Sequence, residues 1–355
     1  MTKKLKVALL FGGRSAEHEV SLVSAASIYQ NLDKEKFDVS SIYINPEGNW
    51  RCAESPLLSK TELTDGRFQS FLPWRPHTET SVVEADIYFP VLHGPFGEDG
   101  TIQGFFEMAD VPYVGAAVLA SAVGMDKATA KILFQARNLP VPKHSVLRAE
   151  EWEKDKKSLI EKVKTDFALP VFVKPSNLGS SVGITKVKDP NKTNAAIQAA
   201  FLYDNKILIE EGIQGREIEC CVLGNASPRA SLPGEVIPSR EFYDYQDKYI
   251  DGKTSFGIPA DLPGGITEEI QRIAVEAFRA VDCSGMARVD FFLQEKTNTI
   301  FLNEINTIPG FTEISMYPKL WEASGLPYPD LLERLIELGL EKHRAKKRIT
   351  ESLNP

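Results

Sequence analysis

Residues 286–310, MARVDFFLQEKTNTIFLNEINTIPG, decide how the chain is read. Two apolar runs, MARVDFFL and TIFLNEIN, flank the polar QEKTN, a pattern that predicts a β-hairpin. Side chains alternate across a strand, so Arg288 and Asp290 share one face of the first run, and Glu304 and Asn306 share one face of the second. Facing residues of a hairpin lie on the same side of the sheet. A turn centred on Thr297 sets Asp290 opposite Glu304 and gathers one arginine, two carboxylates and one amide into a patch. A carboxylate on an apolar strand is costly unless it is paired or bound to a cation. Oxygen-only ligands suit Mg²⁺ rather than Zn²⁺, and Mg²⁺ held by few carboxylates usually completes its shell with nucleotide phosphates. Taken singly, each residue fits a plainer reading: a surface ion pair for Arg288 and Asp290, a solvated acid for Glu304. Four in register, followed by a turn at 307–310, favour the metal site.

The 355 residues suffice for two or three domains, and 43% hydrophobic with 25% charged residues is an ordinary globular composition. A net charge of -8 argues against nucleic acid as a partner. No apolar run is long enough to span a membrane, and MTKKLKVALLFGG is too short in its apolar part for a signal peptide. The expected location is the cytoplasm. The four cysteines (Cys52, Cys220, Cys221, Cys283) show no C-x-x-C spacing and read as reduced packing residues, and the five histidines give no zinc pattern.

Along the chain, residues 6–11 read as a buried strand ending at Gly12-Gly13, with a helix over 20–32, a βα unit that lacks the G-x-G-x-x-G of a dinucleotide fold. Ligands of open α/β sheets bind beyond the carboxyl ends of strands, which draws attention to Glu17 and Glu19. These acids equally suit a helix N-terminus. Strands are predicted at 38–44 and 85–92, a short one at 112–115, and loop with short pieces of structure over 45–80. The strand at 85–92 runs into HGPFGEDGTIQG (93–104), where four glycines demand unusual backbone angles and His93 sits at the strand's end. Here Glu98 and Asp99 fit helix capping. A helix is predicted from Met125 to Arg137, stopped by Pro140 and Pro142, with Lys127 oddly placed in its first turn. The strand 169–174 ends at Lys174, and PSNLGSSVG (175–183) leads to a strand at 184–187. Such a glycine-serine loop offers N–H groups and hydroxyls to an anion, although it is not a Walker loop. Strands follow at 207–212 and 218–223, and residues 240–259 form a long aperiodic stretch that reads as a lid. An amphipathic helix at 267–281 precedes the hairpin. A closing helix covers 328–340, and its basic tail EKHRAKKR reads as a solvated helix end.

HGPFGEDGTIQG and GMARVDFFLQEKTNTIFLNEINTIPG, in this order, resemble the two signatures of the D-alanine–D-alanine ligases of the ATP-grasp superfamily. The resemblance covers nearly the whole chain, most weakly at 45–80. It implies an α/β, three-domain ATP-grasp fold with a Rossmann-like N-terminal domain: a substrate domain at 1–122, a central subdomain at 123–216, and a C-terminal subdomain at 217–355 with lid and metal hairpin. It implies ATP between the second and third units, with Lys127, Lys174 and Ser181 at the phosphates, Glu210, Glu211 and Ile213 at the adenine hinge and Glu217 at the ribose. Asp290, Glu304 and Asn306 would carry two Mg²⁺ ions, for which Mn²⁺ can substitute. Glu17 would bind the ammonium of the first D-alanine, with His93 beside it, and Ser315 the carboxylate of the second. Lys248 and Tyr249 would lie on the lid, latched with Ser180 to Glu17. Arg288 and the Gly310 N–H would form the oxyanion site. The implied reaction is ATP-dependent D-alanyl-D-alanine synthesis for peptidoglycan by a homodimer, with D-alanine–D-serine or D-alanine–D-lactate ligation as the alternative.

Overall fold

The computed structural model describes residues 3–53, 55–57, 85–238 and 254–353. Lys248, Tyr249 and most of the expected lid lie outside them. Three sheets follow one another along the chain.

The first comprises β1 (Leu5–Gly12), β2 (Phe37–Ile44), β3 (Trp50–Ala53) and β4 (Ile87–Val91) in the order β3-β2-β1-β4. Its three long strands are parallel, as the buried apolar run of β1 requires. β3 adds an antiparallel edge inside the stretch read from sequence as loop with short pieces of structure. The short strand expected at 112–115 is reduced to a single parallel bridge between Tyr88 and Tyr113. α1 (His18–Asn31) and α2 (Thr101–Met108) flank the sheet.

The helix expected from Met125 to Arg137 is α4 (Lys127–Ala136), and a separate helix, α3 (Val118–Met125), precedes it across a break at Asp126. The Asp126 carboxylate caps α4 by accepting the Thr129 N–H at 3.0 Å. That break presents Lys127 at a helix start. The first domain boundary expected from sequence, after residue 122, falls inside α3.

The second sheet is antiparallel, with β5 (His144–Arg148), β6 (Val171–Pro175), β7 (Thr185–Val187) and β8 (Lys206–Glu211) in the order β5-β8-β6-β7. α5 (Ala149–Lys154), α6 (Lys156–Asp166) and α7 (Thr193–Ala200) accompany it.

The third sheet contains β9 (Arg216–Gly224), β10 (Arg229–Ala230), β11 (Gly234–Ile237), β12 (Ser255–Gly257), β13 (Gly285–Gln294) and β14 (Thr299–Asn306). Val289, Phe291 and Leu293 point inward against Ile270, Ile273 and Ala277 of α8 (Ile266–Ala280), leaving Arg288, Asp290 and Phe292 on the opposite face. The hairpin register matches the sequence reading: Asp290 faces Glu304 and Arg288 faces Asn306. The turn does not centre on Thr297, because Asn303 is an extra, bulged residue, Phe291 pairing with Leu302.

α9 (Met316–Ala323) and α10 (Tyr328–Leu353) close the chain. Leu331, Leu332 and Leu335 of α10 share one core with Val7, Leu9 and Phe11 of β1. The basic tail is not merely solvated. The Lys342 ammonium donates to Gly115 O at 2.7 Å and lies 3.8 Å from the centre of the Tyr113 ring, and Lys346 pairs with Glu107.

Candidate active site

A cleft of about 650 Å³ opens between the second and third sheets, floored by Lys174, Glu210 and Ile213 on one side and by Glu217, Asp290 and Glu304 on the other. The size suits a nucleotide-sized ligand.

The lysines at the cleft are held by acids. Glu210 is buried to 1% exposure and pairs with both Lys131 (2.6 Å) and Lys174. Burial works against its charge, but the two ammonium groups more than offset that and hold its carboxyl down at about 2. Its side chain is therefore engaged below the cleft floor, and only its backbone is left for the hinge role expected from sequence. Glu211 is similarly occupied, accepting the Lys143 N–H at 2.6 Å. Ile213, Ser181 and Glu217 line the cleft. Lys131 was not singled out by sequence. It is 1% exposed and also donates to Asn303 O at 2.9 Å, which ties the hairpin bulge to the lysine–glutamate trio. Lys127 reaches Glu304 at 3.1 Å and the carbonyl of Leu178 in the glycine-serine loop at 2.8 Å.

Ser180 and Ser181 of that loop carry φ of 49° and 60°, a left-handed backbone, and both line the cleft. From there the Ser180 hydroxyl donates to the Glu17 carboxylate across 163 residues of sequence. Glu17 therefore does not cap α1, where no side-chain cap bond forms.

On the hairpin, the Arg288 guanidinium grips Asp290 through two bonds of 2.7 Å and approaches Glu219 at 3.1 Å. Burial disfavours the charged guanidinium, but Asp290 and Glu219 prevail and hold its pKa well above the usual arginine range. Asn306 donates to Asp290 at 3.0 Å. Among the described residues no three histidine, cysteine or carboxylate groups form a ready metal cage. The donor set is nevertheless oxygen-only, and a bound ion would take over the charge balance that Arg288 and Lys127 now give Asp290 and Glu304. That fits an ion such as Mg²⁺, held by few protein ligands and completed by phosphates.

The 93–104 loop packs against the end of the hairpin. Gly97 has no room for a side chain, since a Cβ there would lie 1.9 Å from Leu92 O. Gly94, at φ 73°, lies against Glu17, whose carboxylate a Cβ would meet at 2.7 Å. Asp99 caps α2 through the Thr101 N–H at 3.0 Å, as read from sequence. Glu98 does not: it accepts the Gly94 N–H at 2.8 Å and the Ile308 N–H at 3.1 Å. Burial, reinforced by Glu17, raises its carboxyl to about 8. His93 is 5% exposed and both ring nitrogens are taken, Nδ1 by Ile308 O (3.0 Å) and Nε2 by Ser24 Oγ (3.2 Å), so in this arrangement its ring offers no bond to a substrate. Ser315 begins α9, and its hydroxyl, 2.7 Å from where a Gly310 Cβ would stand, accepts the Thr312 N–H at 3.0 Å. Gly310 and a helix N-terminus are thus side by side.

Two family models match the chain: "D-ala D-ala ligase N-terminus" over residues 6–116 and "D-ala D-ala ligase C-terminus" over residues 133–337. The chain belongs to the D-alanine–D-alanine ligase family. Within it, the chain is 50% identical to a D-alanine–D-alanine ligase of Caldicellulosiruptor bescii over 98% of this chain and 99% of that protein. It is 47% identical to the enzyme of that name from Acetivibrio thermocellus, covering 97% and 98%. Among solved structures, the family's D-alanine–D-alanine ligase from Coxiella burnetii superposes with a TM-score of 0.89 at 39% identity, covering 99% of both chains. The VanG D-Ala:D-Ser ligase from Enterococcus faecalis gives 0.84 at 35% identity, over 95% of this chain and all of that one. The family's α/β ATP-grasp architecture accounts for the cleft between the second and third sheets.

Proposed function

We propose that the chain joins two D-alanine molecules into D-alanyl-D-alanine, converting ATP to ADP and phosphate through a D-alanyl phosphate. The observation that carries this reading is the bond between Ser180 of the phosphate-side loop and Glu17 of the N-terminal unit. It places a carboxylate suited to an amino acid's ammonium beside a loop suited to a triphosphate.

In this reading Glu17 binds the ammonium of the first D-alanine, and that substrate's carboxylate oxygen attacks the γ-phosphorus as ADP leaves. Lys127, Lys174 and the N–H groups around Ser181 hold the phosphates, with Arg288 neutralising charge on the transferring group. Backbone at Glu210, Glu211 and Ile213 receives the adenine, and Glu217 the ribose. Asp290, Glu304 and Asn306 would hold two Mg²⁺ ions, or Mn²⁺, with Glu304 shared; bound there, such ions lower the charge of the triphosphate. The second D-alanine, its carboxylate at Ser315 and the α9 N-terminus, attacks the acyl carbon through its amine. The resulting oxyanion is stabilised by Arg288 and the Gly310 N–H before phosphate departs. Lys248 and Tyr249 act from the 240–259 segment to keep water from the acyl phosphate.

The chain works as three units, 1–122, 123–216 and 217–355, and as a homodimer in the cytoplasm. No described helix is long and apolar enough to cross a membrane. The decisive experiment is phosphate release from ATP with D-alanine set against L-alanine, with dipeptide analysis. Release and dipeptide with the D-isomer alone are expected. Failure of D-alanine to stimulate release overturns the reading, and preferential use of D-serine or D-lactate as second substrate transfers it to the VanG-like alternative.

A further inference from the structure

The turn that follows the metal hairpin is held almost entirely by groups from the other end of the chain. The Ile308 peptide is gripped on both sides: its N–H is accepted by Glu98 (3.1 Å) and its carbonyl accepts from His93 Nδ1 (3.0 Å). One residue past Gly310, the Phe311 N–H donates to Ser24 Oγ at 3.2 Å, and Ser24 also meets His93 Nε2 at 3.2 Å. With the imidazole neutral, these bonds leave a single consistent proton arrangement. A carbonyl can only accept, so His93 Nδ1 carries the proton. Nε2 must then accept, so the Ser24 O–H donates to it and the Ser24 lone pairs receive the Phe311 N–H. Ser24 is fully buried and His93 is 5% exposed, so water does not substitute for either. Burial lowers the His93 imidazole against the pull of Glu17, which keeps the ring in the neutral form this arrangement needs.

We propose that Ser24, His93 and Glu98 are positioning residues that clamp the 308–311 turn and so fix the Gly310 N–H for the acyl-transfer step. The inference rests on the reading of Gly310 as an oxyanion donor and adds what holds it there. Such donors must be in place before charge develops, and a displacement on the order of 1 Å can cost about 100-fold in rate. The same loop carries Gly94 against Glu17, so the seat of the first amino acid and the donor for the second step are set by one piece of backbone.

The test uses the full chain with Ser24→Ala and Glu98→Gln made separately, which loosen the turn at opposite ends. Measured are kcat, the KM for ATP, and the affinity for a D-alanyl-D-alanine analogue bearing a tetrahedral phosphinate in place of its planar amide, relative to the dipeptide itself. For both variants kcat should fall roughly 10- to 100-fold. The preference for the tetrahedral analogue should shrink in proportion, with the KM for ATP essentially unchanged. Should Ser24→Ala fail to fold, Glu98→Gln decides alone. Undiminished kcat and preference in a folded variant overturn the clamp, as does a loss in which the KM for ATP rises in step. A wild-type enzyme showing no preference for the tetrahedral analogue overturns the Gly310 reading itself, which separates the two failures.

Discussion

Glu210 shows how much a single carboxylate can carry. It neutralises Lys131 and Lys174 at once, the first 1% exposed inside the core and the second 7% exposed at the cleft floor. Glu210→Gln leaves two ammonium groups under-compensated and should destabilise the protein by about 3–5 kcal/mol, the usual range for breaking a buried ion pair; urea unfolding checks this. The pH dependence has a definite sign. Glu210 titrates lower in the folded chain than when unfolded, so its contribution is present above the ordinary carboxylate pKa of 4.5 and is lost as pH falls towards about 2. Glu98 runs the other way: raised to about 8, its contribution is full below 4.5 and lost as pH rises through 8. Glu98→Gln should therefore flatten the decline in stability between those limits, measured as melting temperature against pH. Neither behaviour was legible in the sequence. Composition reveals that a residue is acidic, not that Lys131, about one helical turn after the expected phosphate lysine Lys127, points inward at the same carboxylate.

At the scale of elements, the hairpin register could be read from alternation alone, because Arg288 and Asp290 interrupt apolar residues at every second position. The bulge left a trace as well. The buried positions of β14 are Ile300, Leu302 and Ile305, a step of two followed by a step of three, whereas β13 keeps a strict period through Ala287, Val289, Phe291 and Leu293. That break in parity turns Glu304 to the Asp290 face. Glu304→Gln should cut turnover by on the order of 100-fold or more at saturating Mg²⁺ if it holds charge at the phosphates; near-normal steady-state rates would remove it from the metal site. β3 is one of the short pieces of structure expected in 45–80, but a four-residue edge strand in a stretch without alternation could not be placed from sequence. The 176–183 loop gave its chemistry through composition but not its geometry. Ser180→Ala keeps the loop and deletes the bond to Glu17, so D-alanine affinity should weaken several-fold while ADP binding stays near normal, which titration calorimetry with each ligand separates. Tyr249→Phe should slow peptide formation more than it alters the KM for ATP.

Across the whole molecule, order along the chain and order in space disagree at one place. The three sheets follow sequence, yet α10 leaves the third and completes the core of the first. Leu335, fully buried among residues of β1 and α1, tests the union. Leu335→Ala should cost about 2–5 kcal/mol. It should lower the first and third sheets in a single unfolding transition followed by two spectroscopic probes, whereas two separated transitions would mean the sheets melt independently. This closure was invisible to a reading by local period, which recognised an amphipathic helix but not its partner.

Synthesis on the ribosome exposes the price of that arrangement. β1 is made well before α10, and although α1 packs on the same face soon after, the part of that core supplied by residues 331–338 is missing until α10 has been made. Until then the nascent chain carries a first core open on its α10 side, while the second sheet can already pack against its own helices. Chaperone occupancy should therefore persist on the earliest-made segment, and polypeptides arrested before α10 should associate or be degraded rather than fold.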